Sequence, residues 1–395
     1  MRQAQPDDGA LIEMVHQVEA VIGEHQAWQE ENRRMAPEVF DALRAAGLWR
    51  IFKPAELGGL ECDPVTGLKI FEEITRFDPA VGWAVANQAG IDTFGVLLPE
   101  EGAKEVYGDP GRPVAGAWFP PGQATPVEGG YQVTGRWAFA STCHYAQYLT
   151  GMTVVVDDSE PRTGPDGSPV MMIVFFPPED AEIIDTWHTL GMRGTGSHDI
   201  SVREIFVPHR HAWIMSPLGV ERSGPFKGPL YSAVPWVSIS CLGPVALGIG
   251  QAAIDELIRL ASQKSPSYTD RSLRNREVAQ ANVARAQATI GAARAYLHQA
   301  VDNVHRTAQA GIKPTLQEGV QVQLATCNAL EAGSRVVNLV HDTVGTSGIR
   351  QEHRFEQLYR DGRTISQHAF ASLSRYESCG KVLFGLPSDW GFFYL

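Results

Sequence analysis

The chain is short of cysteine, of basic charge and of long apolar runs, and each shortage removes a class of function. Its five cysteines, at 62, 143, 241, 327 and 379, stand far apart and include no CxxC pair. That spacing supports neither a zinc site nor a disulfide framework and suits a reducing cytoplasm. Lysine and arginine total 33 against 45 aspartates and glutamates, a formal net charge of −12. A nucleic-acid partner requires a clustered basic surface, so this balance argues against one. No run of about 18 uninterrupted apolar residues appears, which removes the usual signature of a membrane span. The opening "MRQAQPDDGALIEMVHQ" has no apolar core of the signal-peptide kind, and the expectation is a cytoplasmic protein. HExxH, P-loop, GxSxG and EF-hand patterns are missing too. Metalloprotease, nucleotidase and common hydrolase readings therefore have no motif to stand on.

What remains is an ordinary globular composition, 44% hydrophobic and 20% charged over 395 residues, long enough for two or three domains. Three patterns follow one another. Up to about 112 the spacing is helical: "PEVFDALRAAGLWRIF" predicts a helix starting behind Pro37 and stopping at Gly47. Two further helices follow, broken around Asp78-Pro79. From 113 to 225 strands rich in β-branched and aromatic residues alternate with turns such as "DDSEPRTGPDGSP". From 226 to 395 long helical patterns return. Helices, then a β-block, then helices exclude a doubly wound sheet and predict an α+β, mainly α chain. The expected domains are 1–112, 113–225 and 226–395, with a ligand cleft where they meet.

Several local patterns point to ligands, and most have plain structural readings. "GIGQAA" (248–253) mimics a dinucleotide fingerprint, but no strand precedes it, so close helix packing explains it better. "VPHRHAW" places His209 and His211 on one strand face, yet no third ligand is near, and no metal site is expected. "RSLRNREVAQANVARA" carries Arg271, Arg274, Arg276 and Arg285, a solvated helical face or an anion site for one phosphate-bearing ligand. In "GRWAFASTCHYAQY" the period of a strand puts Trp137, Phe139 and Ser141 on one face. Two rings ending in Ser141-Thr142 would wall a planar heterocycle and bond its edge. In "GMRGTGSHD" Gly194 and Gly196 allow backbone to approach a ligand, with Thr195 and Ser197 adding hydroxyls. In "FEQLYRDGRTISQHAF" His368 follows Arg360-Asp361 by two helical turns, a residue suited to moving protons. Trp187, Trp213, Trp236 and Phe370 are candidate pocket walls or plain core.

Taken together these stretches resemble the acyl-CoA dehydrogenase superfamily over nearly the whole chain. "VFDALRAAGLWRIFKPAELGG" is similar to its early helix and "P-x-E-x-GG" turn, and "GGYQVTGRWAFAST" to its flavin-facing strand. "VGTSGIRQEHRFEQLYRD" is similar to the late "GG-x-G…RD" segment. The resemblance implies an N-terminal helical domain, a central β-barrel-like domain and a C-terminal four-helix bundle, usually in a homotetramer. Two departures matter. Where the dehydrogenases carry a catalytic glutamate the chain reads "SQHAF", and "AGAWFPPGQATPVEGG" replaces their "TEPxAGSD" loop.

The closer resemblance is to the oxygenase components of two-component flavin-dependent monooxygenases, carried by "GRWAFASTCHYAQY", "LGMRGTGSHDISVREIFVP" and "YRDGRTISQHAF…GKVLFGLPSDW". It implies a hydroxylase of small phenolic or heteroaromatic substrates, acting through a flavin C4a-hydroperoxide. The flavin would be reduced FMN or FAD, FMN favoured, supplied by a separate NAD(P)H-dependent flavin reductase, with O2 as co-substrate. The resemblance makes Ser141 and His368 the catalytic pair. Ser141 would lie beside the flavin N5 edge, and His368 would deprotonate a phenol or steer the hydroperoxide proton. Phe139, Thr142, Thr195, Gly196 and Ser197 would lie along the flavin. Arg271, or Arg274, would meet its phosphate, with Gly345 and Thr346 approaching from a neighbouring subunit. Trp83, Asn87, Asp92, Trp118 and Phe370 are the expected substrate-pocket residues. Asn87 or Asp92 would stand in for a histidine that many members carry after the "GW" of the early helix. An acyl-CoA dehydrogenase with a relocated base, or N- or S-oxygenation on the same scaffold, is the alternative.

Overall fold

Proline and aspartate set the first helices in the computed structural model of the chain, which describes residues 8–165, 167–215, 224–266 and 270–394. After α1 (Asp8–His16) and α2 (Glu19–Asn32), prolines open α3 (Pro37–Ala45), α4 (Pro64–Phe77) and α5 (Pro79–Asp92). A first-turn proline presets φ and forfeits no helical hydrogen bond. Asp63 accepts from the Val65 and Thr66 amides, and Asp78 from those of Ala80 and Val81. Each satisfies donors that the helix leaves open. Gly47, at φ +76°, ends the α3 turn as expected. A short α6 (Glu100–Val106) closes the helical part.

Strands β1 (Val114–Val127), β2 (Gly130–Ala140), β3 (Tyr148–Asp157), β4 (Glu160–Pro161), β5 (Met171–Phe176), β6 (Glu182–Ile184), β7 (His198–Pro208) and β8 (Ala212–Ile214) follow. Seven run in the order β6-β7-β2-β1-β3-β5-β8, with β4 beside β3. Only the β1–β3 pairing among these is parallel. Trp137 is the centre of this core: fully buried, stacked on Phe176 at 5.6 Å, its Nε1 donating to the Met152 carbonyl at 2.7 Å. A bay of glycines makes the room. A Cβ on Gly151 would lie 2.4 Å from the indole, and one on Gly135 2.6 Å.

The shared face expected for Trp137, Phe139 and Ser141 is not found. The β2–β7 register shifts between Trp137 and Ala140, and Phe139 takes φ +69°. That bulge breaks the period of two. Trp137 turns into the sheet core, Phe139 turns out with 67% of its surface exposed, and Ser141 is buried beyond the strand end.

The remaining helices are α7 (Pro229–Ser232), α8 (Trp236–Ser240), α9 (Leu242–Ala261), α10 (Glu277–Gln309), α11 (Leu316–Val344), α12 (Arg354–Ile365) and α13 (Leu373–Leu383). "GIGQAA" lies inside α9, where Gly248 meets the Glu72 carbonyl and Thr75 of α4, and Gly250 meets Ile290 of α10. Close helix packing is its role. The stretch Trp236–Ala261 is long and apolar enough to cross a membrane, but the bundle buries it. Arg294 of α10 grips the Glu72 carboxylate of α4 through two nitrogens. Arg354 of α12 donates to the Arg76 and Phe77 carbonyls at the end of α4. His209 and His211 sit in a 3-10 turn instead of on a strand face. His211 lies 2.6 Å from Glu105, and His209 packs on Tyr131. All five cysteines are buried thiols. The opening residues 1–7, read above for export, and 216–223, just before the expected 225/226 boundary, lie outside the described residues.

The glycine bay generates a prediction. Gly151→Ala forces a methyl into the Trp137 indole and is expected to cost about 1–3 kcal/mol of stability. Denaturant midpoints check it; an unchanged midpoint contradicts the packing described.

Candidate active site

Where β2 ends, the chain turns through Thr142 at φ +64°, and the loop before β7 turns through Met192 and Gly196, both at φ +55°. These turns face each other: the Thr142 amide donates to the Thr195 carbonyl at 3.0 Å. Between them three buried hydroxyls form a row. Ser141 Oγ lies 2.7 Å from Ser197 Oγ, which lies 2.7 Å from Thr195 Oγ1. The ends of the row fix its proton order. Thr195 donates to the Met192 carbonyl at 2.8 Å, and the Trp83 indole Nε1 donates to Ser141 at 3.0 Å. A carbonyl only accepts, an indole N–H only donates, and each hydroxyl has one proton. Ser197 must therefore donate to Thr195, and Ser141 to Ser197. Ser141 is left with no free proton and one open lone pair.

Helix α5 supplies the other wall. Trp83 carries the bond to Ser141 and also packs against the His368 ring at 5.2 Å. Gln88, which no motif singles out, donates to the Ser141 carbonyl at 3.0 Å. The two expected catalytic residues are thus brought to one indole. His368 is half-buried, and desolvation pulls its pKa down to about 4. Its Nδ1 accepts from the Phe370 amide at 3.3 Å, so the single proton of the neutral ring sits on Nε2.

The "RD" pair has a task that spacing alone did not reveal. Arg360 donates to the Leu190 carbonyl at 2.9 Å and pairs with Glu30 and Glu356. Asp361 accepts from the Met192 amide at 2.5 Å. A Cβ on Gly191 would collide with this Arg360–Asp361 backbone. Together they clamp the turn that presents Thr195 and Ser197. From the opposite side Arg33 grips Asp185 through both oxygens and reaches the Trp187 carbonyl. That grip holds Asp185 down at about 2. Trp187 donates to the Met192 carbonyl at 3.0 Å and meets Phe139 edge-on at 6.0 Å.

Other expected residues fall elsewhere. Asn87, one helical turn after Trp83, is half-buried on the same side of α5. Asp92 lies nine residues on, about 13 Å along the axis. It faces Lys53, 3.9 Å away and equally buried, and burial pushes it up to about 7. Trp118 and Phe370 join the aromatic cluster that includes His368: Phe370 meets His368 at 5.5 Å. Trp213 is half-buried on β8, and Trp236 packs on Phe393. Arg271 is exposed and pairs with Glu277, while Gly345 and Thr346 are exposed after α11. Neither group touches the hydroxyl row, but Lys264 links their segments. Its carbonyl accepts from the Leu273 amide, and its Nζ donates to the Val344 carbonyl and to Ser347.

A planar ring with a polar edge fits the seam. Ser141 has a lone pair to offer, and Thr142 Oγ1 is buried with no hydrogen-bond partner. Both are buried, and Ser141 stands against the Trp83 indole. Among the described residues no group of three or more histidines, cysteines or carboxylates is arranged to hold a metal ion.

Residues 6–98 match the acyl-CoA dehydrogenase N-terminal domain and residues 240–373 the acyl-CoA dehydrogenase C-terminal domain. By fold the chain is therefore of the acyl-CoA dehydrogenase class. It is 30% identical to an indole-3-acetate monooxygenase of Pseudomonas putida, over 90% of this chain and 89% of that one. It is 27% identical to the oxygenase subunit HsaA of a flavin-dependent monooxygenase of Rhodococcus jostii, over 91% and 94%. The structure of XiaF from a Streptomyces species, solved with FADH2 and glycerol, superposes with a TM-score of 0.87 at 23% identity, covering 97% of each chain. The chain belongs to the acyl-CoA dehydrogenase family, in its branch of flavin-dependent monooxygenase oxygenase components.

The clamp generates a pH prediction. Burial, with Glu30 and Asp78 nearby, pushes Asp361 up to about 8. A carboxyl raised on folding stabilises the protein fully below its ordinary value, 3.8 here, and loses that contribution as pH rises through its folded value. Asp361→Asn keeps the acceptor for the Met192 amide and cannot ionise. It is expected to remove the decline in melting temperature between pH 5 and 8 that this group causes. Asp361→Ala strands the amide and should cost about 1–3 kcal/mol. Melting curves of both variants across pH give the check, and an Asn variant with the wild-type slope contradicts the clamp.

Proposed function

We propose that the chain hydroxylates a small aromatic or heteroaromatic compound with reduced flavin and dioxygen, and that the one-way hydroxyl row ending at Ser141 is the observation that carries this reading. Bound reduced flavin supplies the activation of dioxygen and the transfer of one of its atoms. The residues of this chain do the rest. Ser141, left as an acceptor, would hold an N–H at the ring edge and has no proton to pass on. A donor at that point would promote loss of peroxide; an acceptor opposes it. Thr142, Thr195, Gly196 and Ser197 line the same seam, and the burial around Trp83 keeps water from it.

His368 acts as a donor. Its Nε2 carries the proton while Nδ1 holds the Phe370 amide, so abstracting a phenolic proton at Nε2 would first require giving up that bond. Steering a proton toward the reacting oxygen requires no such change. This favours the donor role over the base, and it suits heteroaromatic substrates that have no phenol to ionise. The indole-3-acetate monooxygenase relative acts on such a ring.

Arg271, or Arg274, is proposed to meet the flavin phosphate, with the Gly345–Thr346 turn approaching from a neighbouring subunit of a homotetramer. The flavin is FMN or FAD, FMN being favoured, and a separate NAD(P)H-dependent reductase delivers it in the cytoplasm. The three-domain division at 112/113 and 225/226 belongs to the same proposal. The acyl-CoA dehydrogenase alternative lacks its carboxylate base at 368.

Rapid mixing of the protein, charged with reduced FMN, against oxygenated buffer and an aromatic substrate tests the reading. Wild type should couple oxygen to product; Ser141→Ala should release it as hydrogen peroxide about tenfold faster or more, as loss of one hydrogen bond to a buried group allows. Bleaching of bound oxidised flavin by an acyl-CoA thioester, with no oxygen entering an aromatic, overturns it. A second outcome concerns pH. A neutral donor with a pKa of about 4 predicts no limb from His368 in the rate profile between pH 5 and 8. His368→Ala should lower product formation across that range; a limb near 6.5 that disappears in His368→Ala contradicts the donor assignment.

A further inference from the structure

The segment after α13 enters the aromatic cluster that leads to His368. Asp389 bonds to Ser378 and Lys381 of α13, and the Arg375 guanidinium lies 3.7 Å over the Trp390 ring. Anchored there, the 3-10 turn Gly391–Tyr394 buries Phe392 and Phe393. Phe392 stacks face to face on Trp118 of β1, with centroids 5.2 Å apart and planes 7° from parallel. It also touches Phe370 at 4.9 Å, and Phe370 in turn meets His368. The contact of Phe392 with Trp118 is the one that a flat aromatic guest would make.

Of the other rings near His368, Trp83 is held by its own indole N–H, and Phe370 is fixed through its backbone. Trp83 is tied to Ser141, and the Phe370 carbonyl accepts from Gln323 at 2.6 Å. Phe392 has no polar side-chain atom and is placed by ring contacts. Its size can change without breaking a hydrogen bond. We propose that Phe392 is a specificity-determining residue: it closes the Trp118 end of the slot that Trp83, Trp118, Phe370 and His368 are proposed to line, and so sets how many fused rings the substrate carries. This rests on the function proposed above. Trimming Phe392 exposes the Trp118 face to one more ring, and enlarging it shortens the slot.

The test uses the full chain with oxidised FMN bound and needs no turnover. Dissociation constants for indole and for dibenzothiophene are measured by calorimetry in wild type and in Phe392→Ala, Phe392→Leu and Phe392→Trp, with melting curves for each. Phe392→Ala is expected to shift the ratio at least about tenfold toward the tricyclic ligand, as a pocket change of this size does. Phe392→Leu should shift it part of the way, and Phe392→Trp in the opposite direction. Should Phe392→Ala not fold, the Leu and Trp variants carry the comparison. Wild type that binds aromatics with a ratio unmoved by variants that melt normally overturns the inference and leaves the proposed function standing. Wild type that binds neither aromatic overturns both.

Discussion

One hydrogen bond, from the Trp83 indole to Ser141, joins the parts of this protein on which its chemistry depends. Trp83 belongs to a helix started by Asp78 and Pro79, Ser141 to the bulged end of a central strand, and the indole also meets His368 from the helical bundle. The bond also sets a direction. Because the indole can only donate, Ser141 must accept, and the proton order runs one way to the Met192 carbonyl. A serine in water would both donate and accept. This one is restricted to accepting from anything that comes beside it.

That restriction holds only if the row keeps its spacing, and the clamps around residues 185–197 do this. Arg360 and Asp361 hold the turn from the bundle, and Arg33 holds it through Asp185 from the helix α2 side. The Arg360 pairs with Glu30 and Glu356 are partly buried, so removing one partner alone is costly. The same arrangement places the "GMRGTGS" turn against α5 and α12 at once. Fold and site are therefore stabilised by shared contacts, and a loss in either weakens both.

Much of this was legible in the sequence, and what escaped it has identifiable causes. Helix starts at Pro37 and Pro79 follow from local chemistry that needs no partner. The helix, sheet, helix order follows from hydrophobic period. Ser141, Thr195, Ser197 and His368, singled out by motif, are brought together around Trp83. Phe139 was misplaced because a period of two holds only along a regular strand, and the φ of +69° at Phe139 itself turns its ring outward. Asp92 was offered as a substrate contact, but position along a helix decides, and it is committed to Lys53. Gln88, Lys264 and the clamping role of Arg360-Asp361 depend on partners far away in the chain, which spacing cannot supply. Phe392 left a trace in the aromatic run "DWGFFYL", yet nothing local says which ring it will meet.

The strain at the seam points the same way as its hydrogen bonds. Phe139, Thr142 and Met192 all carry side chains at positive φ, a conformation that costs on the order of 1–3 kcal/mol per residue and persists only where surroundings enforce it. A loop free to relax would abandon it. Here the Thr142 amide is tied to Thr195, the Met192 amide to Asp361, and the Met192 carbonyl to both Thr195 and Trp187. Thr142 and Met192 are thus held in their strained conformation through their own backbone groups. Both turns of the seam are tied before any ligand arrives, so a ring edge binding there would meet an acceptor already oriented, and less ordering would remain to oppose the binding.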